Sequence, residues 1–482
     1  MNNLLTTLKK NDSISFDLIQ NSKGEEHFKD DFIYIDVDNI ELEAKSGFYE
    51  GVELSIYSGD DIKGFDKLSA DSAAWEFIIP IVKTNLTGIT AKQFEKFISS
   101  IGGNLIELSI DFSDFQKLNT SIIVQHAPKL KKLTLKGNSW DEELPIVLTL
   151  DDIHLLQLDY LKIEISGEKK VFDLSKSSLK ELELLDFDAS KSILPSTLEK
   201  LIASVNCKRV DWSNLNKLES LELGFCPDST LNDLTFLSHL SSLKSLTINL
   251  GGEPTDFMIA IPTQLQQLEI NTDGKVIDLE FLSENTNLIS LKLRTDVFNG
   301  GQGFKNLDTL SKLNSLVTLE LTENAMGTNN YKSGFKPKSL SVLSKLKNLT
   351  LDGMMNIKDL TDFGGMNSLE NLQIRNSKIE SLKGTDSLIC LKKLELYDCH
   401  SIDNLTFLTN PSLEKFSFNI SALWGTEVKL KTEHIHQLET LSIAEIEIYI
   451  EDRKFPKKEY SSLSKKYVLE PDGCSLWLTL KQ

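Results

Sequence analysis

Residues 391–408 read LKKLELYDCHSIDNLTFL. Cys399 and His400 stand side by side, with Cys390 nine residues before Cys399. The stretch is a reactive thiol, half of a metal site, or one period of a repeat. The leucine spacing decides between these. Leu391, Leu394 and Leu396 follow the pattern apolar-x-x-apolar-x-apolar. Its second half alternates with period two, as a short strand does. Cys399 falls just past that strand, and Ile402 and Leu405 then supply a second apolar set.

The hexamer recurs. Fifteen copies lie between residues 105 and 443, among them LIELSI (105–110), LKELEL (179–184), LQQLEI (265–270), LENLQI (369–374) and LETLSI (438–443). Their starts are 19 to 30 residues apart, which excludes heptads and the longer helical arrays. Three residues past the last apolar position, eleven of the fifteen copies carry a Ser, Asn, Asp or Cys, residues able to bond backbone groups where the chain leaves a strand. Cys399 is one of these, so the spacing predicts a buried, inert thiol with His400 as a surface neighbour.

These hexamers resemble the leucine-rich repeat family over roughly residues 105–445. NLQIRNSKIESLKG (371–384), with Leu372, Ile374, Ile379 and Leu382, is similar to the short bacterial repeats of about 22 residues that internalins carry. The resemblance implies an α/β solenoid: a horseshoe with a parallel sheet on the concave face and an irregular or short-helical convex side. It also implies that exposed strand residues bind a protein partner. Residues 1–104 read as an N-terminal cap and 446–482 as C-terminal cap strands. Within the first cap, GVELSIYS (51–58) and FIYIDVD (32–38) read as strands, and DSAAWEFIIPIV (71–82) as helical until Pro80. Thr90 reads as the N-cap of a helix that carries Phe94, Phe97, Ile98 and Ile101 on one face and ends at Gly102.

The formal charge of −19 opposes binding to a nucleic-acid backbone and favours a basic protein partner or simple solubility. Five scattered cysteines form no disulfide framework and suggest a reducing, cytoplasmic setting. The first twenty residues do not read as a secretory signal, and no apolar run is long enough to span a membrane. Phosphate-loop, nucleophile-elbow and H-E-x-x-H motifs are absent from the sequence. His434 and His436 would share one face of a strand, but further zinc ligands are wanting nearby. The reading is therefore a non-catalytic interaction module without cofactor or metal. The alternatives are an effector or internalin-like factor acting on a host protein, and an acidic inhibitor of a basic enzyme.

Two candidate surfaces follow. On the strand face, outward positions place Glu183, Glu222, Glu269, Lys292, Arg294, Glu320, Arg375, Glu395 and Tyr397, with Tyr397 as the aromatic anchor. The second surface comes from two long adjacent repeats, whose extra residues 294–306 and 322–339 would protrude and present Tyr331 and Phe335.

Overall fold

A strand of the form x-Leu-x-Leu-x hides its leucines only when another such strand lies beside it in the same register. The computed structural model describes residues 14–20, 33–35, 49–56, 81–138, 146–165, 171–185, 192–204, 210–224, 233–250, 258–272, 276–297, 303–325, 334–408, 410–421, 429–430, 432–451, 454–455 and 457–481. They fall into two units, Met1–Ser229 and Thr230–Gln482.

In the first unit the strands Tyr49–Ile56, Ile81–Leu86, Glu107–Asp111, Lys132–Gly137, Tyr160–Ile165, Glu181–Leu185, Lys200–Ser204 and Ser220–Gly224 pair in parallel, each with the next. Strand Ile14–Gln20 runs antiparallel to Tyr49–Ile56 and to Ile33–Ile35, so the first edge is covered. Thr90 caps the helix Ala91–Ile101 through a reciprocal capping box with Gln93, and Phe94, Phe97 and Ile98 are buried. Gly102 ends the helix at an ordinary right-handed φ of −55°. The glycine is required by space instead: a Cβ there would meet the His126 carbonyl oxygen at 2.6 Å.

Strand Ile81–Leu86 escapes the leucine pattern because Thr84, fully buried, occupies a position where the other strands carry leucine or isoleucine. The expected helix over 71–80 lies outside the described residues.

In the second unit the parallel strands are Ser245–Leu250, Gln267–Thr272, Ser290–Val297, Thr318–Ala325, Asn348–Asp352, Asn371–Arg375, Lys393–Tyr397, Lys415–Ile420 and Glu445–Ile450. One ladder of facing side chains runs Leu268, Leu291, Leu319, Leu349, Leu372, Leu394, Phe416, Ile446, and every member is at most 2% exposed. Between strands the chain returns through short 3₁₀ helices, such as Leu279–Leu282, Leu307–Lys312 and Pro337–Val342, which bury Leu279, Leu282, Leu310 and Leu340. In the return after residue 397, Leu405 and Leu408 are core, whereas Phe407 between them is 46% exposed.

The hexamer LETLSI is not a strand. Leu438 sits in the 3₁₀ helix Thr432–Thr440, and the next strand is Glu445–Ile450, paired in register with Lys415–Ile420. Two alternating segments follow one another here, and only one can pair with the preceding strand. EIEIYI wins with three isoleucines and a tyrosine, better suited to a pleated surface than LETLSI. The same helix displaces the expected histidine arrangement. His434 and His436 are two positions apart on a 3₁₀ turn, hence on different faces, and the His434 ring is 2.7 Å from the Asp403 carbonyl. Finally, strand Ser475–Leu480 pairs antiparallel with Glu445–Ile450, and Tyr467–Asp472 with Ser475–Leu480.

Three successive strands end on one device. Gly353, Asn376 and Asp398 follow them with φ of 76°, 46° and 53°. Gly, Asn and Asp are the residues that tolerate this left-handed turn. Each donates its N–H to a carbonyl at the end of the next strand: Gly353 to Arg375 at 3.0 Å, Asn376 to Tyr397 at 2.9 Å and Asp398 to Asn419, one residue before the strand's end, at 2.8 Å. One residue further on, Cys399 is fully buried, with its Sγ facing the carbonyls of Tyr397 at 3.4 Å and Ile374 at 3.6 Å, and Ser377 Oγ at 3.6 Å. Burial pushes the Cys399 thiol up from 9.0 to about 11.

Cys399 should therefore resist alkylation at neutral pH until the chain unfolds, while exposed Cys390 reacts at once, as read by mass spectrometry. The folded state holds the Cys399 proton more tightly than the unfolded chain. Its contribution to stability is complete below pH 9.0 and is lost as pH rises to about 11. Against a Cys399→Ala variant, the native stability advantage should shrink across that window by up to about 1.4 kcal/mol per pH unit.

Candidate interaction face

Strand residues that alternate with the buried leucines point to the opposite side of the sheet. In the first unit this outward face is neutralised from within. Lys162 lies 3.0 Å from Glu164 and 3.7 Å from Glu183, and Lys136 is 3.7 Å from Glu164. Lys83–Glu107 and Lys200–Glu181 are each 3.6 Å apart. Burial works against the Lys162 charge, but the carboxylates of Glu164 and Glu183 outweigh it and raise its pKa. Burial, then Glu183, raises the Tyr160 hydroxyl as well. Glu183 is thus engaged with Lys162, and Glu222, two strands on, is half-buried with Ile202 between them.

In the second unit the central outward row runs Thr247, Glu269, Lys292, Glu320, Thr350, Gln373, Glu395, Ser417, Glu447. Two groups form along it. Glu269, Lys292 and Glu320 are cross-strand neighbours, with Lys292 Nζ 3.8 Å from Glu269 and exposed Arg294 on the same strand. Four strands after Glu269, a denser group collects. The Arg375 guanidinium lies 5.1 Å from the centroid of the Tyr397 ring. The Tyr397 hydroxyl donates to Glu395 Oε1 at 3.3 Å, and Gln373 Nε2 donates to Glu395 Oε2 at 3.1 Å. Lys393 Nζ adds an ion pair at 2.9 Å. Burial first, then the Glu395 charge, raises the Tyr397 pKa, so this phenol is neutral at physiological pH and Arg375 rests on an uncharged ring.

The sequence expectation about the inserts needs correction. The extra residues of the two long repeats go partly into lengthening Ser290–Val297 and Thr318–Ala325 to 8 residues each, paired along their whole length. Phe304 is 2% exposed and Phe335 1%, so both rings belong to the core. Asn356 Nδ2 donates to the Phe335 carbonyl, fixing the segment to the following repeat. An aromatic in a polar loop reads as exposed until its own return path is known to pass under it. Tyr331 lies outside the described residues.

A cleft of about 670 Å³ opens beside the start of the later strands, with Lys347, Glu370 and Lys392 on its wall. Lys347 and Lys392 hold Glu370 at 2.8 and 3.0 Å and lower its pKa, so these charges are spent on one another. Among the described residues no three His, Cys, Asp or Glu side chains group as metal ligands, and no helix is long and apolar enough to cross a membrane.

The observation that decides the fold is the ladder: parallel strands, one per repeat, with leucines in strict register and a short 3₁₀ return.

Both units have the leucine-rich repeat fold.

No protein-family model and no curated protein matches the sequence. Solved leucine-rich repeat structures are similar at 16% identity. TLR13 in complex with a single-stranded RNA aligns over 72% of this chain and 56% of its own, with a TM-score of 0.46. This chain therefore spans about half the length of that one. An internalin from Listeria monocytogenes aligns over 78% and 94%, with a TM-score of 0.37. A leucine-rich repeat protein of Leptospira interrogans aligns over 70% and 93%, with a TM-score of 0.40.

Burial of Phe335 has a direct consequence. Phe335→Ala should cost about 3–5 kcal/mol of stability and lower the denaturant midpoint, the behaviour of a core residue and not of a contact residue.

Proposed function

We propose that the chain is a non-catalytic protein-interaction module and that the outward strand face of the second unit receives a protein partner. One observation carries this reading: Arg375, Tyr397, Glu395, Gln373 and Lys393 interlock on adjacent strands of a hydrogen-bonded sheet. Their geometry exists before any partner arrives, so little side-chain entropy remains to be lost on binding. Arginine and tyrosine are also residue types that dominate interface energetics. Glu269, Lys292, Arg294 and Glu320 extend the same face, so a partner spanning both groups would meet alternating charges. In the first unit Glu183 is taken up by Lys162, which makes the outward strand positions there the weaker candidate.

The partner is a protein in this reading and not a nucleic acid, because a formal charge of −19 opposes phosphate. Free thiols at Cys390, Cys399 and Cys474 fit a reducing, cytoplasmic setting. Residues 1–104 and 446–482 serve as caps in this reading.

Affinity capture from the source cell tests the proposal. Arg375→Glu and Tyr397→Ala should each weaken recovery of the captured protein by about tenfold or more, at an unchanged melting temperature. Equal recovery by native and variant proteins would refute it.

A further inference from the structure

The hairpin that follows the parallel stack carries the outward face further. Glu447 pairs across with Trp477, and Trp477 with Glu470. Cross-strand partners share a face. Ile446, Ile448, Leu476, Leu478 and Tyr467 are buried on the other side. The outward positions of these three strands are Glu445, Glu447 and Tyr449, then Ser475, Trp477 and Thr479, then Val468, Glu470 and Asp472. Four of the nine are carboxylates and none is Lys or Arg. Lys415 from the preceding strand engages Glu445 at 3.1 Å. Glu447 accepts a hydrogen bond from Ser417 at 3.4 Å. Among the described residues neither Glu447 nor Glu470 has an ion-pair partner. Trp477 between them is 43% exposed.

Three strands before Trp477 in the sheet, the chain supplies a complete version of the same chemistry: an aromatic ring, Tyr397, a carboxylate, Glu395, and a cation, Arg375, over the ring. At Trp477 the ring and the carboxylates are present, and among the described residues no cation lies over the ring or pairs with Glu447 or Glu470; Lys415, whose charge Glu447 feels, is engaged with Glu445. The negative π face of an indole and two flanking carboxylates attract one kind of group. An anion is repelled, and an apolar segment would strip water from two carboxylates without return. A lysine or arginine side chain satisfies both: its methylene stem covers the indole while its charged head meets the carboxylates.

We propose that Trp477, Glu447 and Glu470 form a seat for a basic side chain, arginine above all, of the protein partner. The inference rests on the interaction reading above and names the partner's chemistry at one end of the face. The seat lies on the cap hairpin, so the hairpin takes part in recognition as well as covering the sheet edge.

Isothermal titration of the full chain with a short acetylated arginine peptide tests it, with the neutral citrulline peptide as control. The arginine peptide should bind and the citrulline peptide should not. Trp477→Ala should weaken arginine-peptide binding about tenfold, while Trp477→Phe keeps most of it. Glu447→Gln combined with Glu470→Gln should weaken it comparably, and melting curves establish that each variant is folded. Arginine-peptide affinity unchanged by Trp477→Ala would overturn the seat and leave only attraction to a generally acidic surface. Failure here is separable from failure of the interaction reading. Capture that depends on Arg375 and Tyr397 but is indifferent to Trp477 would remove the seat alone.

Discussion

Lateral stacking of in-register leucines is the constraint from which the other features follow. A single repeat of 19 to 30 residues has no inside; Leu394 and Leu396 are buried only because Leu372 and Ile374 lie on one flank and Phe416 and Phe418 on the other. Register cannot slip, since a shift by one residue would turn every leucine to water. The constraint also spreads stability over neighbours, so a lost side chain is felt first in the adjoining repeats.

Everything on the outward face inherits its spacing from that ladder. Arg375 reaches the Tyr397 ring because the two residues hold the same position on adjacent strands, and Glu395 lies next to Gln373 for the same reason. Charge on the face is consequently a matter of which repeats are neighbours. In the first unit lysines and glutamates alternate closely enough to neutralise one another, as Lys136, Glu164, Lys162 and Glu183 do. Toward the end of the second unit aromatic residues enter the rows, and Trp477 stands across from Glu447 and Glu470, neither of which has an ion-pair partner among the described residues. Side-chain chemistry thus differs from strand to strand while, within each unit, the pairing of the strands hardly changes.

The strand-exit turn shows how local chemistry serves the same end. Gly353, Asn376 and Asp398 accept a left-handed conformation, and the buried Cys399 and Ser377 just beyond interact with each other where the chain turns inward. A cysteine beside a histidine invites a chemical reading, yet the thiol is held protonated by burial. The left-handed turn is legible in the sequence as Gly353, Asn376 and Asp398 at one position of three consecutive repeats, one residue before the position that Ser377 and Cys399 occupy.

The sequence by itself determined the repeat, the parallel strands, the direction in which each strand residue points, and the role of Cys399. These depend on spacings of a few residues, and period-two alternation is a local property. Tertiary structure alone decided the rest. Thr84 stands in a leucine position, and only pairing with Glu107–Asp111 reveals a strand there. LETLSI and EIEIYI are both plausible strands, and the partner strand chose the second. Phe335 sits in a polar insert yet is core, while Phe407, in an apolar return, is exposed. Burial in a return segment depends on which neighbouring turn passes above it, information carried by residues more than twenty positions away.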